Sequence, residues 1–255
     1  MKLWLRFYSH AEPLDGWDIC VHQHSHIGDL LHLDDVRGWH CVRHPKALIY
    51  SAALYHEKCS EPWVDIPLQR FDSGTFWATS HGPTYDLIRD PSVTIQRKSE
   101  LMQNFQQTTQ GPSFLHYDSG YELGGATYRE FIQSLGTLEE KLLFEMKAYS
   151  RGVINDMLSF PDDKRFFRVK LEDVAFDSKM LTLKAAMSHL GFKGFGLSRA
   201  LRVCRNFCLW KIGTEAIRGH ATTGMSPKWR SAFVGRLNEE FEALYPHAES
   251  NLGYL

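Results

Sequence analysis

Apolar and polar positions along the chain alternate between two periods, and the changes of period outline its elements. Asp18 to His22 (DICVH) and Trp39 to Arg43 (WHCVR) are short runs rich in β-branched or aromatic residues, bounded by Gly and Pro, and predict strands. Between them HIGDLLHLDDVRG reads as a loop or short helix. From Pro45 the period becomes helical: Leu48, Ala52 and Tyr55 recur at four and three, and Pro45 suits a first helical position, so a helix is predicted to about Cys59. Residues 60–126 are rich in proline and glycine and predict an irregular insert or cover, with helix around Val93 to Gln107.

Order returns at Thr127. TYREFIQSLG predicts a short helix. The stretch from Thr137 to Phe160 predicts a long one, opened by a capping box of Thr137 and Glu140 and carrying Leu142, Met146, Tyr149, Val153 and Met157 at helical spacing. Arg165 to Leu171 (RFFRVKL) is a strand, LEDVAFD a turn, Lys179 to Leu190 a helix stopped by Gly191, and Leu197 to Lys211 a basic helix. A last helix from about Lys228 places Trp229, Phe233, Leu237, Phe241 and Leu244 on one face. Strands separated by helices predict an α/β protein on a parallel sheet, with ligands beyond the carboxyl ends of the strands. The chain reads as a single domain over residues 1–255.

Composition narrows the function classes. The chain has 255 residues, 43% hydrophobic, and a formal charge of −1, so nothing pulls it globally toward nucleic acid or an anionic membrane, and any anion site is local. Apolar runs are too short for a membrane span, and Arg6 and His10 interrupt the N-terminus too soon for a signal peptide. Five cysteines without CxxC spacing read as small buried hydrophobes, reduced in a cytoplasmic protein; Cys204 and Cys208, four apart, are the pair one helix face would share.

The candidate chemistry begins at RHPKALIYS, Arg43 to Ser51. An arginine at a strand end offers a planar fork of donors, and the helix behind it offers free amides and the positive end of its dipole, a combination suited to phosphate. Ser51, two turns into the helix, adds a hydroxyl. The alternative is an Arg43 paired with a surface carboxylate and a Ser51 that only packs. His22, His24 and His26 lie at alternate positions after the first strand and read either as polar residues at a strand end, hydrogen-bonded or exposed, or as ligands of a metal-dependent hydrolase, although the Asp of an HxHxDH pattern is missing. Arg199, Arg202, Arg205 and Lys211 form either a solvated face or a contact for a nucleotide or acidic acceptor.

Val42 to Trp63 resembles the 3′-phosphate-binding region of the sulfotransferases that use 3′-phosphoadenosine 5′-phosphosulfate (PAPS). The match lies at Arg43, Pro45, Lys46 and Ser51 and extends to Tyr55-His56, with His44 and Ala47 departing from the family pattern. Arg168 to Asp177 is similar to the family's Tyr-Glu-Asp-Leu segment, with Leu171 in place of Tyr. His220 to Leu255 resembles its ending of Gly, Trp-Arg, a helix and Leu-Gly-Tyr. The resemblance implies a three-layer fold like that of P-loop nucleotide-binding proteins, and transfer of a sulfuryl group from PAPS to a hydroxyl or amine of a small-molecule or carbohydrate acceptor. It assigns the 3′-phosphate to Arg43, Ser51, Thr222, Thr223 and Gly224, and the general base to His26, or to His24 if the loop length differs.

The family's N-terminal Pro-Lys-Ser-Gly-Thr loop for the 5′-phosphosulfate has no counterpart before Arg43. The one lookalike, Asp72 to Trp77 (DSGTFW), comes after the 3′-phosphate block and has Asp72 where a cation is expected. Thr222-Thr223-Gly224 replaces a basic pair before the glycine. Two expectations account for this: a fragment that has lost its first strand and loop, or a degenerate, non-catalytic homologue acting as a binding module.

Overall fold

Pro45 opens a helix immediately after a short apolar strand, and the same strand-to-helix step recurs further along the chain. A computed structural model describes residues 31–80, 82–108, 116–175, 177–205 and 227–255. Strand β1 is Gly38–Val42 and helix α1 Pro45–His56. A 3-10 turn at Pro62–Asp65 leads to β2 (Arg70–Asp72), then α2 (Ser73–Ser80), α3 (Gly82–Arg89), α4 (Ile95–Thr108) and β3 (Asp118–Glu122). Helices α5 (Tyr128–Ser134), α6 (Leu138–Lys147) and α7 (Tyr149–Ser159) precede β4 (Phe166–Lys170). Beyond β4 lie α8 (Leu171–Ala175), α9 (Leu181–His189), α10 (Gly194–Arg205), α11 (Lys228–Ala232), α12 (Gly235–Leu244) and α13 (Ala248–Asn251).

These elements form two units. Residues 31–44 with 160–205 make one, and residues 45–159 with 227–255 the other. In the first, β1 and β4 pair in parallel from Gly38 opposite Phe166 to Val42 opposite Lys170. Gly38 sits against the Phe166 ring, where any Cβ would collide. Helix α9 is tied to the strands by the Trp39 indole, which donates to the Ala186 carbonyl at 2.9 Å, and by His189 Nε2, 2.8 Å from the Arg165 carbonyl. Leu183 and Met187 of α9 meet Ala200 and Cys204 of α10 in a small core.

In the second unit β2 and β3 pair antiparallel, with an irregularity between Arg70 and Asp72. The core is aromatic: Trp63 stacks on Tyr149 at 4.8 Å between ring centroids, and Tyr128 meets Phe71 and Phe144. Rings this large remove much apolar surface from water, and their edge-to-face and offset contacts add to it. Gly152 lets α7 lie against α2, since a Cβ there would overlap the Phe76 ring.

The fold is mixed α/β, and among the described residues parallel pairing is confined to β1 and β4. Four expectations are corrected. Residues 60–126, expected to be irregular apart from a helix around Val93 to Gln107, hold that helix as α4 and also two strands and helices α2 and α3; α2 is buried nearly all round and so shows no amphipathic period. The long helix expected from Thr137 to Phe160 breaks at Ala148, whose carbonyl accepts from the Tyr117 hydroxyl at 2.9 Å. The last helix, expected from Lys228 through Leu244, is two short ones, α11 and α12, interrupted at Phe233 and Val234, with Gly235 (φ 50°) opening the second. The Thr137–Glu140 capping box forms as expected, Gly191 ends α9 at φ 96°, and LEDVA is helix α8 rather than a turn. The strand expected at Asp18–His22 lies outside the described residues.

Candidate functional site

Because β1 and β4 run in parallel and in register, the segments that leave them emerge at the same end of the pair. After β1 come Arg43 and His44; after β4 comes α8 with Glu172 and Asp173 in its first turn. The His44 amide donates to Glu172 Oε1 at 3.0 Å. Two of the three sequence blocks that carry the resemblance therefore meet, joined by a charge-assisted hydrogen bond. The site is locally mixed in sign: Arg43 stands next in sequence to a backbone amide that a carboxylate already occupies.

Earlier in β1 lies His40, a residue without a role in the sequence pattern. It is buried, stacked on Phe160 at 3.8 Å with 9° between ring planes. Burial, and next the Arg168 charge, push its pKa down to about 4, so the imidazole is neutral at physiological pH. A histidine inside a strand between Trp and Cys gives no sequence signal that separates it from an exposed one.

Ser51, in the second unit, is buried within α1. Lys46, a matching residue of the resemblance, is held in the same unit. Its Nζ donates to Glu242 Oε1 at 3.1 Å and to Glu249 Oε2 at 2.7 Å, and lies 4.6 Å from the centre of the Phe241 ring. The lysine thus fastens α1 to α12 and α13, the third block, and two carboxylates neutralise it. Its work is structural.

His56, the histidine of the Tyr55-His56 pair, is likewise a core residue. Its Nδ1 sits 2.8 Å from Glu145 Oε2, which also accepts from the Tyr128 hydroxyl at 2.9 Å, while Glu145 Oε1 accepts from Ser150 at 2.7 Å. Trp63, Tyr128 and Tyr149 meet the His56 ring edge to face. Glu145 is fully buried, and the Tyr128 and Ser150 hydroxyls together with the His56 ring compensate its lost hydration. Burial and then the Glu145 charge raise the Tyr128 pKa well above its ordinary value, so the phenol stays a donor.

The DSGTFW segment does form a strand that runs into a helix, β2 into α2, with Ser73-Gly74-Thr75 at the helix start. Asp72 fills the place an anion would take: its Oδ1 accepts from the Thr75 amide at 2.9 Å and from the Thr75 hydroxyl at 3.2 Å. Arg70 Nε in turn lies 3.2 Å from Asp72 Oδ2. A cleft of about 350 Å³ opens here, lined by Arg70, Asp72, Ser73, Gly74, His116 and Asp118 among others. Two carboxylates against one arginine make it a poor phosphate site.

His26, His24, Thr222, Thr223 and Gly224, with His22 and Lys211, lie outside the described residues. Among the described residues no group of three or more His, Cys, Asp or Glu side chains is arranged to hold a metal ion, and no helix is long and apolar enough to cross a membrane. No family model matches the chain, and neither the curated proteins nor the solved structures contain a match.

Proposed function

We propose that this chain is a sulfotransferase-like protein of the three-layer α/β type, with β1 and β4 part of its central sheet and Arg43 gripping the 3′-phosphate of PAPS. The observation that supports this reading most is the meeting of two separated blocks at one strand end, through the hydrogen bond from the His44 amide to Glu172. Ligands of parallel α/β sheets gather beyond such ends. On the resemblance, Ser51, Thr222, Thr223 and Gly224 are the further candidates for that phosphate. His26, or His24, is the candidate base that takes the proton of a hydroxyl or amine on a small-molecule or carbohydrate acceptor.

The described residues fit the 3′-phosphate end of the cofactor better than its phosphosulfate end, because the Ser73-Gly74-Thr75 junction is already capped by Asp72. That observation favours a second reading, a non-catalytic homologue that binds a nucleotide or partner without transferring sulfate. Titration of the full chain with adenosine 3′,5′-bisphosphate in a calorimeter, beside an assay for labelled sulfuryl transfer from PAPS, separates the readings. Binding with transfer supports the first, and binding without transfer the second. Absence of nucleotide binding contradicts the first and leaves of the second only a homologue that binds a partner other than the nucleotide.

A further inference from the structure

Helix α10 has two unlike faces. Ala200 and Cys204 pack on Leu183 and Met187 of α9, with Leu197 and Leu201 beside them. Phe195, Arg199 and Arg202, four and three residues apart, share another face and are exposed, Phe195 to 82%. The rest of the hairpin continues the pattern. Lys179 precedes α9, Lys184 lies on it and Lys193 leads into α10, all exposed, and Leu181 at the start of α9 is 63% exposed.

The charge balance of this segment is one-sided. No Asp or Glu occurs between Asp177 and Glu215. Among the described residues, none of Lys179, Lys184, Lys193, Arg199 and Arg202 makes an ion pair, whereas Lys46, Arg129, Lys141, Lys147 and Arg165 each do. In a chain of net charge −1 this hairpin gathers five exposed cations in a stretch without a carboxylate, a local positive field that favours an anionic surface.

We propose that the α9–α10 hairpin is a docking surface for the anionic headgroups of a lipid bilayer. Cations alone would suit any polyanion; the two exposed apolar side chains decide the class. A leucine gains nothing from phosphates and cannot stack on a base, but Leu181 and Phe195 both gain by entering the headgroup boundary, as on interfacial amphipathic helices. Near anionic lipid each cation contributes roughly a five-fold gain in affinity, so five contribute about three orders of magnitude, strongly reduced by salt.

Co-sedimentation of the full chain with vesicles tests this. In about 0.05 M salt the protein is expected to bind phosphatidylcholine vesicles containing about 30% phosphatidylserine, to ignore pure phosphatidylcholine, and to be released at about 0.5 M. Arg199→Glu with Arg202→Glu is expected to lose roughly a hundred-fold in affinity. Phe195→Ser should weaken binding several-fold without changing its salt dependence. These positions are exposed, so circular dichroism should report unchanged folding; if the arginine pair does destabilise the chain, Lys184→Glu with Lys193→Glu supplies the same reading. Equal binding to neutral and anionic vesicles, no vesicle binding, or unchanged affinity in the charge-reversed variants would overturn the proposal. So would a single-stranded oligonucleotide that displaces the protein from vesicles, which would make nucleic acid the partner.

Discussion

In the unit built from residues 45–159 and 227–255, several charged side chains meet partners inside the unit, Lys46 with Glu242 and Glu249, Arg129 with Asp65 and Lys147 with Glu240, and the buried Glu145 carboxyl lies against His56. In the unit around β1 and β4, Arg165 forks onto Asp163, but Lys184, Arg199 and Arg202 on α9 and α10 have no such partners among the described residues. Charge in the first setting holds elements together, whereas the α9–α10 cations have no ion-pair partner among the described residues and are the ones proposed to meet an outside surface. Substitutions should therefore separate cleanly into those that lower stability and those that alter binding.

The largest expected effect is at Glu145. Glu145→Ala strands His56, Tyr128 and Ser150 without their acceptor in a closed aromatic core and should cost about 3–5 kcal/mol. Urea unfolding monitored by tryptophan fluorescence reads this directly. Glu145→Gln keeps an acceptor and should cost less, and a loss below about 1 kcal/mol for the alanine variant would refute the network's role.

The other unit offers a pH counterpart. His40 is neutral when folded, with its pKa lowered from 6.5 to about 4. Below pH 6.5 the unfolded chain takes up a proton that the folded chain refuses, so stability is full above that pH and declines as the pH falls toward 4. The loss attributable to this residue approaches about 3 kcal/mol. His40→Phe keeps a ring against Phe160 and should flatten the profile between pH 4 and 6.5. An unchanged slope in that variant would place the titration elsewhere.

A smaller effect sharpens the contrast. Lys46→Ala releases α12 and α13 from α1 and should cost about 1–3 kcal/mol of stability while leaving nucleotide affinity intact. Denaturant unfolding beside nucleotide titration measures both quantities, and weakened binding by a stably folded variant would return Lys46 to the phosphate site.

Sequence pattern foretells the parts of the fold in which local signals agree with packing. Pro45 at a helix start, the Thr137–Glu140 capping box and the Gly191 stop are all local chemistry, and all form. Helix α2 is illegible in the sequence because it is buried nearly all round and carries Ser, Gly and Thr in place of an apolar stripe. The break at Ala148 depends on Tyr117, thirty-one residues away, so nothing within the helix announces it. The site is half legible for the same reason. Arg43 at a strand end is implied by strand and proline signals, but the diversion of Lys46 and His56 into the core rests on Glu242, Glu249 and Glu145, which are distant in sequence. An identical side chain serves a ligand or a core according to what the fold brings opposite it.

The central claim is that Arg43 recognises a 3′-phosphate, and discrimination between two nucleotides tests it most directly. Calorimetric titration of the full chain with adenosine 3′,5′-bisphosphate and with adenosine 5′-monophosphate gives an affinity ratio. The account predicts a ratio of at least about ten in favour of the bisphosphate, the value of one charge-assisted phosphate contact, and its collapse toward unity in Arg43→Ala. Equal affinity for the two nucleotides in the parent chain, or a ratio that survives in Arg43→Ala, would contradict it.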